Sequence, residues 1–381
     1  MTAAPVPPGV GPPGVGTIRP VPGATPPPWR PEEAGTDWLT DALRGAGVVG
    51  GRRVVAFDTE PVGTGQMADC VRFRLTYDAD APGAPGTLVG KFTPADRTSR
   101  ATALALRTSE VEVRFYQEVA ATVGVRTPRC YAAEVDPATG EFALLLEDLA
   151  PARQGDQVAG CSPDQASLAL AELARLHAPR WGDPSLEHLP WLERQGPEPG
   201  AMAEVLPVLF GGFVERYGDQ LDPAVIGVGE RLFPRIGDYL RRRPGPRTVQ
   251  HADYRLDNLL FTDEARAVAV VDWQTTTLGP GAADVSYFVG AGLPTAERRQ
   301  HETDLVREYH ERLCAGGVPG YSWDDCMTDY RRHAYAGYVM AVGASMLVER
   351  TARGDDMFLT MARRHAAQIE DLGAESLLGA A

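Results

Sequence analysis

The chain has 381 residues and a mass of 40.9 kDa, enough for about two domains with a large core. Its 37 Lys and Arg against 51 Asp and Glu leave a formal charge of −14, which argues against nucleic acid, where affinity comes from cations on phosphates, and against anionic membrane surfaces. Hydrophobic residues at 44% and charged residues at 23% are ordinary for a globular protein, while 41 Gly and 32 Pro are numerous enough that their location matters.

Much of the proline lies at the start. Residues 1 to about 34 are dominated by Pro, Gly, Ala and Val, a composition that buries too little surface to offset its ordering entropy. This stretch reads as a disordered, partly polyproline-II tail, with neither the basic nor the apolar region of a secretory signal. A short helix over Trp38 to Arg44 follows, stopped by Gly45 and Gly47. Strands are expected at Val54 to Glu60, Cys70 to Tyr77 and Thr87 to Phe92, separated by a glycine turn around Gly63 and Gly65 and a Pro/Gly turn at Asp80 to Gly86. Val111, Phe115 and Val119 then mark one long helix, roughly Ala103 to Thr122. A hairpin at Tyr131 to Asp136 and Glu141 to Glu147 closes this β-rich block. Beyond Leu149 the pattern is helical: a helix opened by Ser162 and ended by Pro179, a Pro-interrupted stretch at about 200 to 243, a compact loop-and-hairpin unit at 249 to 290, and further helices to about 372. The longest apolar runs are strand-length, so no spanning helix is expected. Five cysteines, an odd number with no CxxC pair, point away from a disulfide framework or zinc site and towards a reducing, cytoplasmic location.

The chemistry is concentrated in His251-Ala252-Asp253-Tyr254-Arg255-Leu256-Asp257-Asn258, followed by apolar Leu259 to Phe261, a turn, apolar Val268 to Val271, and Asp272. Two apolar runs around a short turn form an antiparallel hairpin, which brings Asn258, entering the first strand, beside Asp272, leaving the second. Two oxygen ligands at an open hairpin end suit a hard divalent cation that keeps positions for phosphate oxygens and water. Asp253 lies on the loop leading in, placed to face an incoming hydroxyl, and Arg255 is placed to reach a transferring γ-phosphate; phosphoryl transfer requires this division of labour.

HADYRLDNLLF with AVVDWQ resembles the catalytic core of the aminoglycoside phosphotransferase and choline kinase superfamily, whose fold is protein-kinase-like. GTGQMADC, EVRFYQEVA, LLLEDL, LARLHAPRWG and GPGAADVSYFVG are similar to its ecdysteroid-kinase-like (CHK-kinase-like) branch, and the resemblance covers about residues 45 to 350. It implies an α+β bilobal fold, with a β-rich N-lobe at 35–149, a mainly helical C-lobe at 150–381, and the tail at 1–34 outside both. It implies Asp253 as catalytic base, Asn258 and Asp272 as magnesium ligands, and His251 as a brace of the loop. Lys91 would hold the α- and β-phosphates, with Glu112 as its ion-pair partner in preference to Glu110. Gly63 and Gly65 would let backbone N–H groups approach phosphate, and Glu147 to Leu149 would form the hinge that reads the adenine edge. Asp284 is expected to brace the catalytic loop. The family's usual glycine between His and Asp is Ala252 here, which a positive φ would disfavour.

The expected function is therefore transfer of the γ-phosphate of ATP, or another nucleoside triphosphate, with Mg²⁺, to a hydroxyl of a small molecule. The branch suggests a steroid- or terpenoid-like alcohol or other secondary metabolite. An aminoglycoside or macrolide kinase and a nucleotide-binding pseudokinase or scaffold are the alternatives. The gap of about a dozen residues from Asp272 to Asp284 is too short for the activation segment a protein substrate requires. Aromatic residues such as Phe210, Phe213, Tyr217, Tyr335 and Tyr338 are candidates for acceptor surface, though most are expected in the core.

Overall fold

The computed structural model describes residues 25–63, 68–193, 199–241, 245–262 and 266–378. Gly65 and most of the turn after Phe261 lie outside them. The chain divides into two compact units: residues up to Ala150 together with Asp272–Gln274, and Pro151–Val271 together with Thr275–Ala381.

The first unit begins with helix α1 (Thr36–Gly45) and strands β1 (Val54–Pro61), β2 (Asp69–Tyr77) and β3 (Thr87–Phe92). Helices α2 (Arg97–Leu106) and α3 (Thr108–Arg114) follow, then strands β4 (Cys130–Asp136) and β5 (Glu141–Glu147). The five strands form one antiparallel sheet in the order β1-β2-β3-β5-β4. Strand periodicity sets its two faces. Leu88, Gly90 and Phe92 of β3 are buried, and Leu88, Phe73 and Phe92 share a core with Trp38, Leu39 and Leu43 of α1. Phe73 and Phe92 meet edge-on at 6.2 Å. A Cβ on Gly90 would fall 2.5 Å from the Phe92 ring and 2.7 Å from that of Phe73, so only glycine fits between them. Val89 and Lys91 consequently point to the opposite face.

Order starts earlier than composition suggested. Pro28 is buried, Trp29 and Ala34 pack against the α1 core, and Pro31–Glu33 form a turn of 3₁₀-helix. The single long helix expected from Ala103 also breaks. Arg107 takes a left-handed conformation (φ 55°) that ends α2 and starts α3, and its guanidinium grips Glu110 at 2.9 and 3.0 Å. Residues Phe115–Val119 then widen into a π-helical turn before a 3₁₀ turn at Ala120–Thr122.

The second unit contains strand β6 (Arg153–Gln154) and helices α4 (Pro163–His177), α5 (Pro199–Tyr217), α6 (Pro223–Leu232) and α7 (Ile236–Leu240). Strands β7 (Thr248–Gln250), β8 (Leu259–Phe261), β9 (Val268–Val270) and β10 (Thr277–Gly279) come next. Helices α8 (Gly281–Gly292), α9 (Thr295–Ala315), α10 (Trp323–Arg332), α11 (Tyr335–Leu347) and α12 (Ala352–Asp371) complete it. Ser162 caps α4 reciprocally with Gln165, and Pro163 occupies the first turn, where a missing N–H costs nothing. The expected hairpin is present: β8 pairs with β9, Leu259 opposite Val270 and Phe261 opposite Val268, and the Val271 N–H donates to the Asn258 carbonyl at 3.0 Å. β7 pairs with β10, and the peptide between β7 and β8 is the His251–Asn258 loop. Phe213, Tyr217, Tyr335 and Tyr338 lie in the core shared by α5, α6, α11 and α12. No helix among the described residues is long and apolar enough to cross a membrane.

Candidate active site

In the first unit, Lys91 emerges from β3 on the face opposite α1, and Glu112 of α3 meets it there. The Lys91 Nζ lies 2.8 and 2.6 Å from the two carboxylate oxygens of Glu112 and 3.2 Å from Oδ1 of Asp272. Burial on its own would push the ammonium down, but Glu112 and Asp272 outweigh it and hold Lys91 well above the usual lysine range. Lys91 is therefore a fixed cation. Glu110, the competing partner, is occupied by Arg107.

Asp272 is itself strained at φ 67°. Its neighbours fix it. The Trp273 ring stacks on Phe115 at 3.9 Å and 6°, the Trp273 indole N–H donates to Thr127 Oγ1 at 3.0 Å, and the Gln274 amide donates to Asp272 Oδ2 at 3.1 Å. The π-helical turn at Phe115 supplies the stacking ring, which sequence periodicity does not reveal. Gly63 has φ 78° with open space around its absent Cβ, so the glycine serves the backbone turn.

The segment expected as a hinge is held by side chains that went unread in the sequence. Glu147 gives its N–H to the Arg129 carbonyl at 2.8 Å, and its carboxylate accepts from Arg126 and from the Arg129 N–H. A base edge therefore cannot be read by the Glu147 amide. Asp148 takes an ion pair from Arg72 at 2.6 Å and accepts the Ala150 N–H at 3.1 Å, a local turn that stiffens the segment. Leu149 makes no backbone hydrogen bond among the described residues.

In the second unit, Asp284 at the start of α8 organises the His251–Asn258 loop. Its two carboxylate oxygens accept the consecutive N–H groups of His251 and Ala252 at 2.7 and 2.9 Å, a backbone concavity closed on an anion. That geometry puts Ala252 at φ 62°, the strain expected of alanine in a glycine's place. His251 spans the loop: its Nε2 bonds the Val271 carbonyl at 3.0 Å, and its Nδ1 accepts the Asp253 N–H at 3.3 Å. The ring therefore carries its proton on Nε2.

Asp253 follows, its side chain 17% exposed and so reachable by an acceptor. Asn258 Nδ2 donates to its Oδ2 at 3.0 Å and to its carbonyl at 2.9 Å. Arg255 Nε reaches both oxygens at 3.2 and 3.1 Å, and the Tyr287 hydroxyl donates to Oδ1 at 2.9 Å. Arg255 does not stand as a free phosphate ligand. Its other arm is on Asp257, which is held by Arg353 at 3.1 Å and by the Gln157 N–H at 3.1 Å. Burial would lower the Arg255 guanidinium, but Asp253, Tyr287 and Asp257 raise it, so its charge is constant. Sequence reasoning missed Tyr287 and Asp257. Tyr287 is hidden inside an apolar helix, and Asp257 reads as loop.

Each expected metal ligand offers a hard oxygen. Asn258 commits Nδ2 to Asp253, which leaves Oδ1 for a cation, and Asp272 presents a carboxylate. Among the described residues no cluster of three or more His, Cys, Asp and Glu side chains is placed to hold a metal.

A part-buried Lys–Glu–Asp cluster and an H-x-D-x-x-x-x-N loop are the residue types that a kinase-type phosphotransferase acting on an alcohol acceptor calls for. The profile described as "Phosphotransferase enzyme family" (APH) matches residues 76–324, more than half of the chain, and the chain belongs to that family. A stretch of 103 residues is 39% identical to mouse acyl-CoA dehydrogenase family member 10; it covers 24% of this chain and 10% of that protein, so the chain spans about a tenth of that relative's length. Among solved structures, a candidate aminoglycoside phosphotransferase from Ralstonia eutropha JMP134 superposes with a TM-score of 0.52 at 19% identity, covering 88% of this chain and 97% of the other. An ethanolamine kinase from Plasmodium vivax gives a TM-score of 0.48 at 11% identity, covering 86% and 87%. The first of these shows the bilobal, protein-kinase-like fold.

Proposed function

We propose that the protein transfers the γ-phosphoryl group of ATP, with Mg²⁺, to a hydroxyl of an apolar secondary-metabolite alcohol of steroid or terpenoid type. The observation that carries this is the Asp253 carboxylate, fixed by Asn258, Arg255 and Tyr287 yet still partly exposed. In that role Asp253 accepts the proton of the acceptor hydroxyl. Lys91, kept cationic by Glu112, binds the α- and β-phosphate oxygens. Asn258 and Asp272 would hold the cation, which when bound neutralises charge on the phosphate oxygens. Gly63 turns the backbone towards phosphate, and the backbone at Leu149 takes the adenine edge. The apolar acceptor class rests on the resemblance of GTGQMADC, EVRFYQEVA and GPGAADVSYFVG to the ecdysteroid-kinase-like branch. The location proposed is cytoplasmic.

A labelled-ATP screen against sterols, terpenoid alcohols, macrolides and aminoglycosides tests the acceptor class. Label on sterol or terpenoid alcohols supports the reading, and label confined to aminoglycosides overturns it. With the acceptor found, Asp253→Asn is expected to fold and bind nucleotide but to lose about 10²-fold or more in turnover. Undiminished turnover would remove Asp253 as the base.

A further inference from the structure

We propose that Tyr287 is a positioning residue for the catalytic carboxylate, acting jointly with Arg255. The inference rests on Asp253 being the base. Tyr287 and Asp284 lie three residues apart on α8, neighbours on one helix face. Asp284 holds the loop by its backbone, at the N–H groups of His251 and Ala252. Tyr287 holds the side chain that the loop presents, donating to Asp253 Oδ1 at 2.9 Å. One helix thus fixes both where Asp253 sits and which way its carboxylate faces.

The hydroxyl can act only as a donor there. Tyr287 is 6% exposed, and its ring packs against His365 of α12 at 5.8 Å, which leaves little rotational freedom. Burial and the adjacent Asp253 carboxylate push its phenol well above the usual tyrosine range, so the proton stays on it. Arg255 grips the same carboxylate from the loop itself and is anchored in turn by Asp257, which Arg353 and the Gln157 N–H hold. With Asn258 on Oδ2, the carboxylate is held by three donor groups and its orientation is fixed. A base aimed this way loses rate when it rotates, because proton transfer depends on alignment with the acceptor hydroxyl.

Hydrolysis of Mg-ATP with water as the acceptor provides the probe, followed as ADP release for the full chain. Tyr287→Phe keeps the ring against His365 and removes only the hydroxyl. It is expected to lower kcat on the order of tenfold with KM for Mg-ATP within about twofold of the parent. Arg255→Lys should lower kcat similarly, and the double variant should lose less than the product of the two single losses, since both act on one carboxylate. A Tyr287→Phe kcat within about twofold of the parent, alongside an Asp253→Asn variant down by about 10²-fold, overturns the positioning role and leaves the base assignment intact. So does a loss of kcat matched by a rise in KM and a fall in unfolding midpoint, the signature of a purely structural contact. Undiminished hydrolysis in Asp253→Asn removes the base assignment and this inference with it.

Discussion

Ala252 shows at residue scale how the His251–Asn258 loop trades backbone comfort for geometry. Asp284 needs two consecutive N–H groups converging on one carboxylate, and the chain delivers them only by turning left-handed at φ 62°. A left-handed residue bearing a Cβ costs roughly 1–2 kcal/mol, whereas glycine there costs folding about 0.4–1 kcal/mol through the freedom it adds to the unfolded chain. Ala252→Gly should therefore stabilise by about 0.5–1 kcal/mol with the Asp284 hydrogen bonds kept. Ala252→Val, whose branched side chain fits this conformation worst, should destabilise by about 2 kcal/mol or more. Urea unfolding midpoints of the two variants check both signs, and a drop for the glycine variant would show that Ala252 is not strained. Asp272 bears the same left-handed strain at φ 67°, with a short polar side chain that tolerates it better. Two of the three described non-glycine residues with positive φ thus belong to the proposed machinery, and the third, Arg107, sets the start of the helix that carries Glu112.

At the scale of elements, the second unit is fitted together through glycines that let helices approach polar side chains. On α11, a Cβ at Gly337 would lie 1.8 Å from Nε2 of His365 on α12; on α8, a Cβ at Gly290 would lie 2.1 Å from Oε1 of Gln368. The two polar side chains bond each other at 3.1 Å and are fully buried. Gly337→Ala must displace a buried ring between packed helices and is expected to cost about 1–3 kcal/mol even though alanine favours helix by about 1 kcal/mol. Gly227→Ala in α6 meets only the flexible end of Arg231 at 3.4 Å and should stabilise by about 0.5–1 kcal/mol. Thermal melts of the pair separate close approach from helix propensity, and equal effects of one sign would refute the packing argument. Elements built by local pattern were legible from sequence: the alternation in β3, the Ser162 cap and the β8–β9 hairpin all depend on neighbours within a few residues. The break at Arg107 was not legible, because an arginine in the left-handed region carries no compositional mark. Pro28 and Trp29 read as tail because what orders them is a core built by α1 and the sheet.

For the whole molecule the same distinction holds between what is near in sequence and what is near in space. Asp253, Asn258 and Asp272 were readable because they share one loop and hairpin. Tyr287 was not, since it reaches Asp253 across 34 residues of chain, nor were Gln157 and Arg353, which reach Asp257 from 100 and 96 residues away. His365 extends this to global stability. It lies at the junction of α8, α11 and α12, with Nδ1 on Gln368 and Nε2 lacking a hydrogen-bond partner among the described residues. Burial pushes its imidazole from 6.5 down to about 4, the Gln368 bond opposing and the Arg298 and Arg364 cations adding to the fall. The folded protein therefore keeps His365 neutral where the unfolded chain takes up a proton. Its contribution to stability is complete above pH 6.5 and is lost as pH falls towards 4, amounting to about 3 kcal/mol across that window. His365→Asn keeps a donor towards Gln368 and removes the titration. Its stability at pH 7.5 should be lower because of the smaller side chain, yet on going to pH 4.5 it should lose about 2–3 kcal/mol less than the parent. Urea unfolding of both proteins at several pH values measures this directly, and parallel stability profiles would show that the buried imidazole does not govern the acid sensitivity of the fold.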